Sequence, residues 1–323
     1  MITPSFSIGA SERVLPSFAL NFTTASLDSR VTFTRTANTA TYTNSSGVIT
    51  AINANLPRFD YNPTTLVCNG LLIEETRTNI LLNSLINGTS LSTQTVTTSA
   101  VAYTLSFYGT GSIVLSGTAS ATVAGTGAYP TRKTYTFTPT AGSLTLTVSG
   151  TVQYAQLETG SFATSFIPTD ATVGGLTRNA DLATVSGTNF SSWFNTSEGT
   201  FVSTINSAGQ NAGAPWVLEL TTSTNAPFLG LDTRIIWQNS DTSFTLSNTL
   251  SALKKISNAY KLNNAGLYSS TYAIDTSSNV GTGYDRLLIG RHAPASFFFN
   301  GSISKIYYYP QRLTQSQMIA FAK

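Results

Sequence analysis

The sequence predicts an all-β protein that is built from antiparallel β-sandwiches and ends in a short helix. Only 10% of its 323 residues are charged, whereas 41% are hydrophobic and 11% are aromatic, and serine and threonine are abundant throughout. Threonine and valine fit a pleated sheet and lose side-chain freedom in a helix. Many segments alternate apolar and hydroxyl residues and are broken by glycine, which is typical of half-buried strands joined by turns. At this length we expect two or three units.

The first region, residues 1–86, is predicted to contain short strands joined by turns. Residues 31–35 and 40–43 have the composition of strands, and the second segment runs into a turn at 44–47. Further on, Glu74, Glu75 and Arg77 form a local cluster of charges. We interpret this cluster as an ion pair or a subunit contact that fixes register rather than as a reactive site, since structural networks also bring charges together.

The second region, residues 87–172, has the clearest alternation in the chain. Apolar side chains alternate with threonine or serine at 103–107, 113–115, 135–137 and 144–148, and glycines lie between these segments. This period places one face of each strand in a core and the hydroxyl face in water. The region is therefore predicted to be a small antiparallel β-sandwich.

A family resemblance begins where this second region ends. Residues 152–169 contain the run QLE, then ATS, an aromatic residue and IPT. The run resembles the closing strand and exit of carbohydrate-binding-module-like sandwiches in bacteriophage tail and head fibre proteins. Residues 177–181 then look like a linker into a third region, 173–323, whose first long strand is expected to start at Glu198.

The third region ends in three recognisable pieces. Residues 287–291, then 299–310, then 313–317 resemble the last strands and the terminal helix of a laminin-G or concanavalin-A-like jelly roll. Asn300 suits a tight turn because it tolerates a positive φ, and Thr314 can cap a helix that starts at Gln315. The resemblance to laminin-G domains implies a lectin-like jelly roll over 173–323. The resemblance to phage fibre proteins implies that residues 1–86 serve in virion attachment or assembly.

Catalytic chemistry is not evident in the sequence. His292 is the only histidine, so a catalytic triad could be built only around this residue. Because Cys68 is the only cysteine, a zinc site of cysteine and histidine ligands is excluded within one chain. We expect His292 in a surface loop. A glycosidase needs two carboxylates at a fixed separation, whereas Glu219 stands alone in its predicted strand. The acids Asp232, Asp241, Asp275 and Asp285 are scattered, and we predict no catalytic residues, metal or cofactor.

Aromatic side chains are the candidates for sugar contacts. A sugar ring stacks on an exposed aromatic face beside hydroxyl and amide groups. The sequence offers five weak candidates for such contacts, namely Trp193, Trp216, Trp237, Tyr268 and Tyr272. Aromatic residues are more often buried, and most of these five are expected in a core or an interface. Residues 307–309 are three consecutive tyrosines, so at least one of them must point away from the core if they form a strand.

The charge pattern and the targeting signals limit the expected partners and location of the protein. The net charge is only +3, and adjacent cations occur at 132–133 and 254–255, so we expect no nucleic-acid partner. We also expect no signal peptide and no membrane insertion. A single cysteine suits synthesis in a reducing cytoplasm. Together with the resemblance, this predicts a virion protein that is made in the host cytoplasm.

Three functions remain open at this point. The leading one is a bacteriophage fibre, tail appendage or head-decoration protein that exposes lectin-like domains to host-surface polysaccharide. The alternatives are a purely architectural virion protein and a glycan depolymerase. Expected partners are other virion proteins and copies of the same chain, with a trimer as the predicted assembly.

Overall fold

The computed structural model describes residues 6–8, 12–36, 39–172, 175–209, 216–224, 229–231, 234–237, 244–245, 252–268, 271–276, 282–293 and 297–322. Strands dominate these residues, the α-helices among them are α1 (Thr188–Ser191) and α2 (Gln315–Ala322), and Phe22–Thr24 forms a short 3-10 helix. The predicted all-β class and the short terminal helix are therefore confirmed. No helix among the described residues is long and apolar enough to cross a membrane.

The strands fall into three groups along the chain. The first group is β1 (Phe6–Ile8), β2 (Glu12–Val14), β3 (Phe18–Asn21), β4 (Thr32–Thr34), β5 (Ala40–Thr43), β6 (Ile49–Ile52), β7 (Phe59–Tyr61), β8 (Cys68–Ile73) and β9 (Arg77–Asn79). The second is β10 (Gln94–Thr98), β11 (Tyr103–Tyr108), β12 (Ser112–Gly117), β13 (Ala121–Ala124), β14 (Lys133–Phe137), β15 (Gly142–Ser149) and β16 (Gln153–Thr159). The third is β17 (Leu176–Arg178), β18 (Leu182–Ser186), β19 (Glu198–Ser207), β20 (Leu218–Thr221), β21 (Leu229–Leu231), β22 (Arg234–Trp237), β23 (Phe244–Thr245), β24 (Ala252–Lys261), β25 (Ala265–Tyr268), β26 (Tyr272–Asp275), β27 (Arg286–Ile289) and β28 (Gly301–Tyr309).

A large sandwich is formed by the first and third groups together. Its eight-stranded sheet has the order β26-β25-β24-β19-β28-β8-β7, with β3 also paired to β28, and its seven-stranded sheet has the order β23-β22-β21-β20-β27-β18-β4. A sheet with one apolar face must pack that face against another layer. The two sheets pack their apolar faces against each other and enclose one core. Phe18, Phe201, Leu287 and Tyr308 lie in this core and are at most 1% exposed.

A small sandwich lies between β9 and β17 in the chain. A four-stranded sheet, β10-β15-β12-β13, packs on a three-stranded sheet, β14-β11-β16. The alternating residues that predicted these strands form their shared core, including Leu105, Ile113 and Leu146. The chain leaves the large sandwich after β9 and returns in β17, and these two strands pair antiparallel with Arg77 opposite Arg178. The small sandwich is therefore an insertion into the large one.

The predicted first region, 1–86, does not form a separate unit. Its strands β3 and β8 pair with β28, and β4 pairs with β18, so they complete the two sheets of the large sandwich. The expected boundary at residue 86 is corrected accordingly. Strands of three to six residues with one apolar face need partners for independent stability, and the partners lie more than a hundred residues away in the sequence.

The end of the chain folds as the sequence predicted. Asn300 adopts a positive φ of 51° just before β28. Thr314 caps α2, since its Oγ1 accepts a hydrogen bond from the Gln317 backbone N–H at 3.3 Å while the Gln317 side chain accepts one from the Thr314 N–H at 2.7 Å. This reciprocal arrangement is a capping box. It fixes the start of the helix that covers part of the eight-stranded sheet.

Candidate functional site

An open groove lies on the outer face of the eight-stranded sheet, the face turned away from the core. Strand β19 runs through its floor, and Val202, Thr204 and Asn206 alternate outward while Phe201 and Ile205 point into the core. Strand pairing sets Thr204 directly opposite Lys255 on β24 and Lys305 on β28. Directly opposed residues of neighbouring strands share a face. The two lysines therefore flank one threonine in a single row, here called the lysine row.

A β-bulge shapes the floor of the groove. Along the β19–β28 pair, Thr204 faces Lys305 but Ile205 faces Ile303, so Ser304 is an extra residue in β28. Bulges bend a strand and re-aim its side chains. Gly70 of β8 accommodates the bulge, because it has a φ of +112° and a Cβ there would lie 2.6 Å from the Ser304 Cα. Only glycine fits this close approach without displacement.

The walls of the groove come from three other segments. Helix α2 covers one end of the outer face and contributes Phe321, whose ring stacks on Tyr309 at a centroid distance of 5.0 Å. Val67, Cys68 and Asn69 form the opposite wall, with Thr23 beside them. The groove has a volume of about 480 Å³. This lies within the range of roughly 300–1,000 Å³ that is usual for small-ligand sites.

The groove presents aromatic, hydroxyl, amide and amine groups together. Tyr307 lines it and is half-buried, and burial raises the pKa of its phenol, which keeps the hydroxyl protonated. Lys255 is exposed and Lys305 is half-buried. Among the described residues that line the groove, none is aspartate or glutamate. The site can therefore offer ring faces for stacking and donors for hydrogen bonds, with two positive charges that no lining carboxylate balances.

Two of the five predicted sugar-contacting aromatics are buried elsewhere. Trp193 is 7% exposed, lies in the core of the large sandwich and stacks on Phe18 at 4.2 Å. Trp216 is 6% exposed and stacks on His292 at 4.3 Å. Neither ring presents an open face for a sugar in this conformation, since both are covered by protein.

The remaining predicted aromatics lie in the third group of strands. Tyr268 and Tyr272 oppose each other on β25 and β26, in the same outer-face row as Tyr307, but on the far side of α2 from the groove. The Tyr272 hydroxyl accepts a hydrogen bond from Arg312 Nη2 at 2.7 Å. Trp237 lies in β22, and its side chain falls outside the described residues. The groove and these tyrosines are thus separate parts of one sheet face.

His292 and Glu219 form a pair that the sequence did not predict. The Glu219 carboxylate is fully buried, and its Oε2 lies 2.6 Å from His292 Nδ1. The backbone N–H of Ala293 also donates to Glu219 Oε2, at 3.2 Å. The side chain of His292 is only 18% exposed, so the expectation of an ordinary surface-loop histidine was wrong. The two residues lie in β20 and just after β27, which are neighbours in the seven-stranded sheet.

A buried ion-pair network joins the first and third groups of strands, beside the two strands through which the small sandwich is inserted. Glu74 Oε2 lies 2.8 Å from Arg58 Nη1 and 3.1 Å from Arg178 Nη1, and Asp181 bridges Arg58 and Arg35. The side chains of these five residues are at most 2% exposed. The interpretation of Glu74 as part of a structural ion pair agrees with this geometry. The predicted linker at 177–181 was wrong, because Arg178 is paired in β17 and both it and Asp181 are fully buried.

The pKa of Glu74 reflects its position between two guanidinium groups. Burial alone would raise this pKa, but Arg178, Arg58 and the hydrogen bonds from Ser165 lower it from 4.5 to about 2. Both carboxylate oxygens accept from Ser165, at 2.7 Å from the backbone N–H and 2.6 Å from the hydroxyl. A carboxylate that is this fully satisfied holds the segment around Ser165 against β8.

Comparisons with known proteins give only distant similarity. No protein-family model and no curated protein matches the chain. Among solved structures, Trypanosoma rangeli sialidase in complex with sialic acid is 15% identical over 44% of this chain and 26% of its own, with a TM-score of 0.35. The CBM40 module of Ruminococcus gnavus IT-sialidase bound to α2,3 sialyllactose is 16% identical over 40% of this chain and 84% of its own, with a TM-score of 0.32. The chain spans about a quarter of the length of the sialidase.

Sequence reasoning missed the groove because its residues come from distant segments. Thr23, Asn69, Lys255 and Lys305 are brought together only by the pairing of β3, β8, β19, β24 and β28. One signal was available. Three consecutive tyrosines in a strand must alternate, and the structure places Tyr308 in the core and Tyr307 in the groove. Among the described residues, no three histidine, cysteine, aspartate or glutamate side chains cluster in a way that could hold a metal ion.

Proposed function

We propose that the protein binds glycans, and that the groove on the outer face of the eight-stranded sheet holds a saccharide that carries carboxylate groups. The observation that carries this proposal is the lysine row beside the rings of Tyr307 and Phe321. A sugar ring needs an apolar face to stack on and donors around its edge, and both are present in one concave surface.

The two lysines favour an acidic ligand. Lys255 and Lys305 are two strands apart, which corresponds to about 10 Å between their backbones. Within the described part of the chain, neither forms an ion pair with a carboxylate. A ligand carboxylate over Thr204 would attract both ammonium groups and so offset the repulsion between them. In a chain with only 10% charged residues this pairing of amines is distinctive.

The groove supports binding rather than hydrolysis. Most families of glycosidases place two carboxyl groups about 5 to 10 Å apart on either side of the scissile bond. The described residues that line the groove supply no carboxylate for either role. The buried carboxylate of Glu219 pairs with His292 in the other sheet. We therefore propose a lectin-like protein that leaves its glycan intact.

The setting of this binding is a second part of the proposal. A role in a phage virion, with other virion proteins as partners and a trimeric assembly, is supported by the resemblance of residues 152–169 to sandwiches in phage fibre proteins. Mass spectrometry of purified phage particles tests the location, and light scattering of the purified protein tests the trimer. Absence from particles, or a stable monomer, would contradict the respective statement.

A polysaccharide array tests the binding function. The probes are bacterial capsular and O-chain polysaccharides, each acidic member paired with a copy whose carboxyl groups have been reduced to alcohols. We expect binding to one or more carboxylated polysaccharides and a loss of about tenfold or more on reduction, because a charge-assisted hydrogen bond contributes roughly 1.5–3 kcal/mol. Binding to none of the acidic polysaccharides contradicts the proposal, and so does equal binding to both members of every pair.

A double variant locates the site. Lys255→Gln combined with Lys305→Gln is expected to weaken binding about tenfold or more, since both ammonium groups are lost while the side chains keep similar length. Lys261→Gln is the matched control, because Lys261 lies at the end of β24 outside the groove and is 48% exposed. Unchanged affinity in the double variant would place the binding site elsewhere.

A further inference from the structure

A second cavity lies where the two sandwiches meet. This junction pocket has a volume of about 200 Å³. The small sandwich contributes Tyr108 and Arg132, the large sandwich contributes Asp60 and Ala208, and the β5–β6 hairpin contributes Tyr42. Crevices between packed units are common ligand sites. Unlike the groove, the pocket combines a guanidinium with two phenol rings and two carboxylates, of which Glu74 is already paired with Arg58 and Arg178.

Arg132 is held in place but not neutralised. Its Nη1 donates to the Thr164 carbonyl at 2.6 Å and its Nη2 to the Ser106 hydroxyl at 2.7 Å. Its Nε is buried and has no hydrogen-bond partner among the described residues. No carboxylate of the described chain forms an ion pair with it. Fixed in orientation and lacking a counter-charge, this guanidinium is preorganised for an anion, because a carboxylate matches its planar set of donors.

Asp60 faces the same pocket. Its Oδ1 accepts a hydrogen bond from the Thr43 backbone N–H at 2.8 Å, whereas its Oδ2 has only the Asn69 side-chain nitrogen at 3.5 Å. Burial raises the pKa of this carboxyl group. Its second oxygen can accept a hydrogen bond from a ligand hydroxyl, which a saccharide supplies.

The groove and the junction pocket adjoin each other. Asn69 lines the groove and Asp60 lines the pocket, and their side chains are 3.5 Å apart. Along the floor, Asn206 of the groove and Ala208 of the pocket are separated by one residue. From Thr204 in the lysine row to Ala208 the extended chain covers about 13 Å. The groove thus lies over β19, and the pocket begins at the residue that directly follows this strand.

We infer that the groove and the junction pocket form one extended site, in which a carboxylated oligosaccharide lies along β19 with one acid group at the lysine row and another at Arg132. Asp60 accepts from a hydroxyl of the distal sugar. The inference rests on the proposed glycan function and extends it, because it makes chain length and the spacing of the acid groups part of the specificity. It also gives the insertion a role, since the small sandwich supplies the distal end of the site.

The length of the oligosaccharide is the variable that tests the extended site. The probes are size-fractionated oligosaccharides of two, four and six sugars from the carboxylated polysaccharide that binds on the array, and the readout is affinity by calorimetry. The longest probe is expected to bind about tenfold or more tightly than the shortest, since it gains a bidentate carboxylate–arginine contact. Arg132→Gln is expected to abolish this gain and to leave the affinity for the disaccharide unchanged.

Further variants distinguish the loss of a contact with the oligosaccharide from the loss of folded structure. Arg132→Lys keeps the charge and is expected to retain part of the gain, and Asp60→Asn, which keeps the shape, is expected to reduce it. Arg286→Gln is the matched control, because Arg286 is a half-buried arginine that lies outside both cavities and pairs with Asp285. Equal affinity for short and long probes would overturn the extended site while leaving the groove intact. A length-dependent gain that survives Arg132→Gln would overturn it too, and binding of neither length would overturn the proposed function itself.

Discussion

Replacing Glu74 by glutamine is expected to destabilise the protein by about 3 to 5 kcal/mol, the usual cost of removing one partner from a buried ion pair. The substitution keeps the shape of the side chain but removes the charge that balances Arg58 and Arg178. Both guanidinium groups are fully buried, so water cannot replace the lost carboxylate. Glutamine also supplies one acceptor oxygen where the carboxylate supplies two to Ser165.

The lowered pKa of Glu74 corresponds to a stabilisation of similar size. A fall from 4.5 in the unfolded chain to about 2 in the folded protein corresponds to about 3 kcal/mol of stability. The folded chain holds this proton more weakly than the unfolded chain does. The stabilisation is therefore complete above a pH of about 4.5 and is lost as the pH falls towards 2, with about half of it gone near pH 3.

Urea unfolding of the wild type and of Glu74→Gln at pH 7 and at pH 3 is the assay. We expect the difference in unfolding free energy to be about 3 kcal/mol or more at pH 7 and about half as large at pH 3. Lys261→Gln breaks an exposed ion pair with Glu198 and should cost less than about 1 kcal/mol. A difference below about 1 kcal/mol for Glu74→Gln at pH 7, or one that does not shrink in acid, would refute the role assigned to this carboxylate.

Two further predictions concern the large sandwich. Gly70→Ala should cost about 2 kcal/mol or more and weaken glycan binding, because the new Cβ would lie 2.2 Å from the Ile303 carbonyl oxygen at a φ of +112°. Gly283→Ala, at a φ of +85° with nothing within 4 Å, should cost about 1 kcal/mol and leave binding unchanged. Equal costs for the two variants would contradict the close packing at the bulge. Tyr260→Phe should cost about 1 to 3 kcal/mol in urea unfolding, because the buried Tyr260 hydroxyl contacts the Tyr308 hydroxyl at 2.8 Å and donates to the Asn195 carbonyl at 2.6 Å; no measurable cost would contradict that assignment.

Local patterns predicted the parts of the fold that depend on neighbouring residues. The alternation of apolar and hydroxyl residues predicted the strands of the small sandwich, and Thr314 predicted the start of α2. Pairing between distant segments was not predictable in the same way. Residues 177–181 look like a linker because they are polar and lack a period, yet Arg178 and Asp181 are buried by partners that lie a hundred or more residues away.

The residues of the candidate site could not be predicted from local sequence patterns either. Five aromatics were named for sugar binding, but aromatic residues also fill cores, and Trp193 does so here. Lys305 carries no local signal at all. It becomes a site residue only because the register of β19 sets it opposite Thr204, with Lys255 on the other side. A register between strands a hundred residues apart is a property of the folded sheet rather than of any sequence window.

Protection of Cys68 tests glycan binding in the groove most directly. Cys68 is the only cysteine of the chain, and it lines the wall of the groove. Burial raises the pKa of its thiol, so alkylation by iodoacetamide is best followed near pH 9. A carboxylated oligosaccharide at ten times its wild-type dissociation constant should slow alkylation about elevenfold, because only about one site in eleven stays free. In the Lys255→Gln, Lys305→Gln double variant, whose affinity is expected to be weakened about tenfold or more, the same concentration should slow alkylation about twofold at most. An unchanged alkylation rate in the wild type at saturating oligosaccharide would contradict the groove as the binding site.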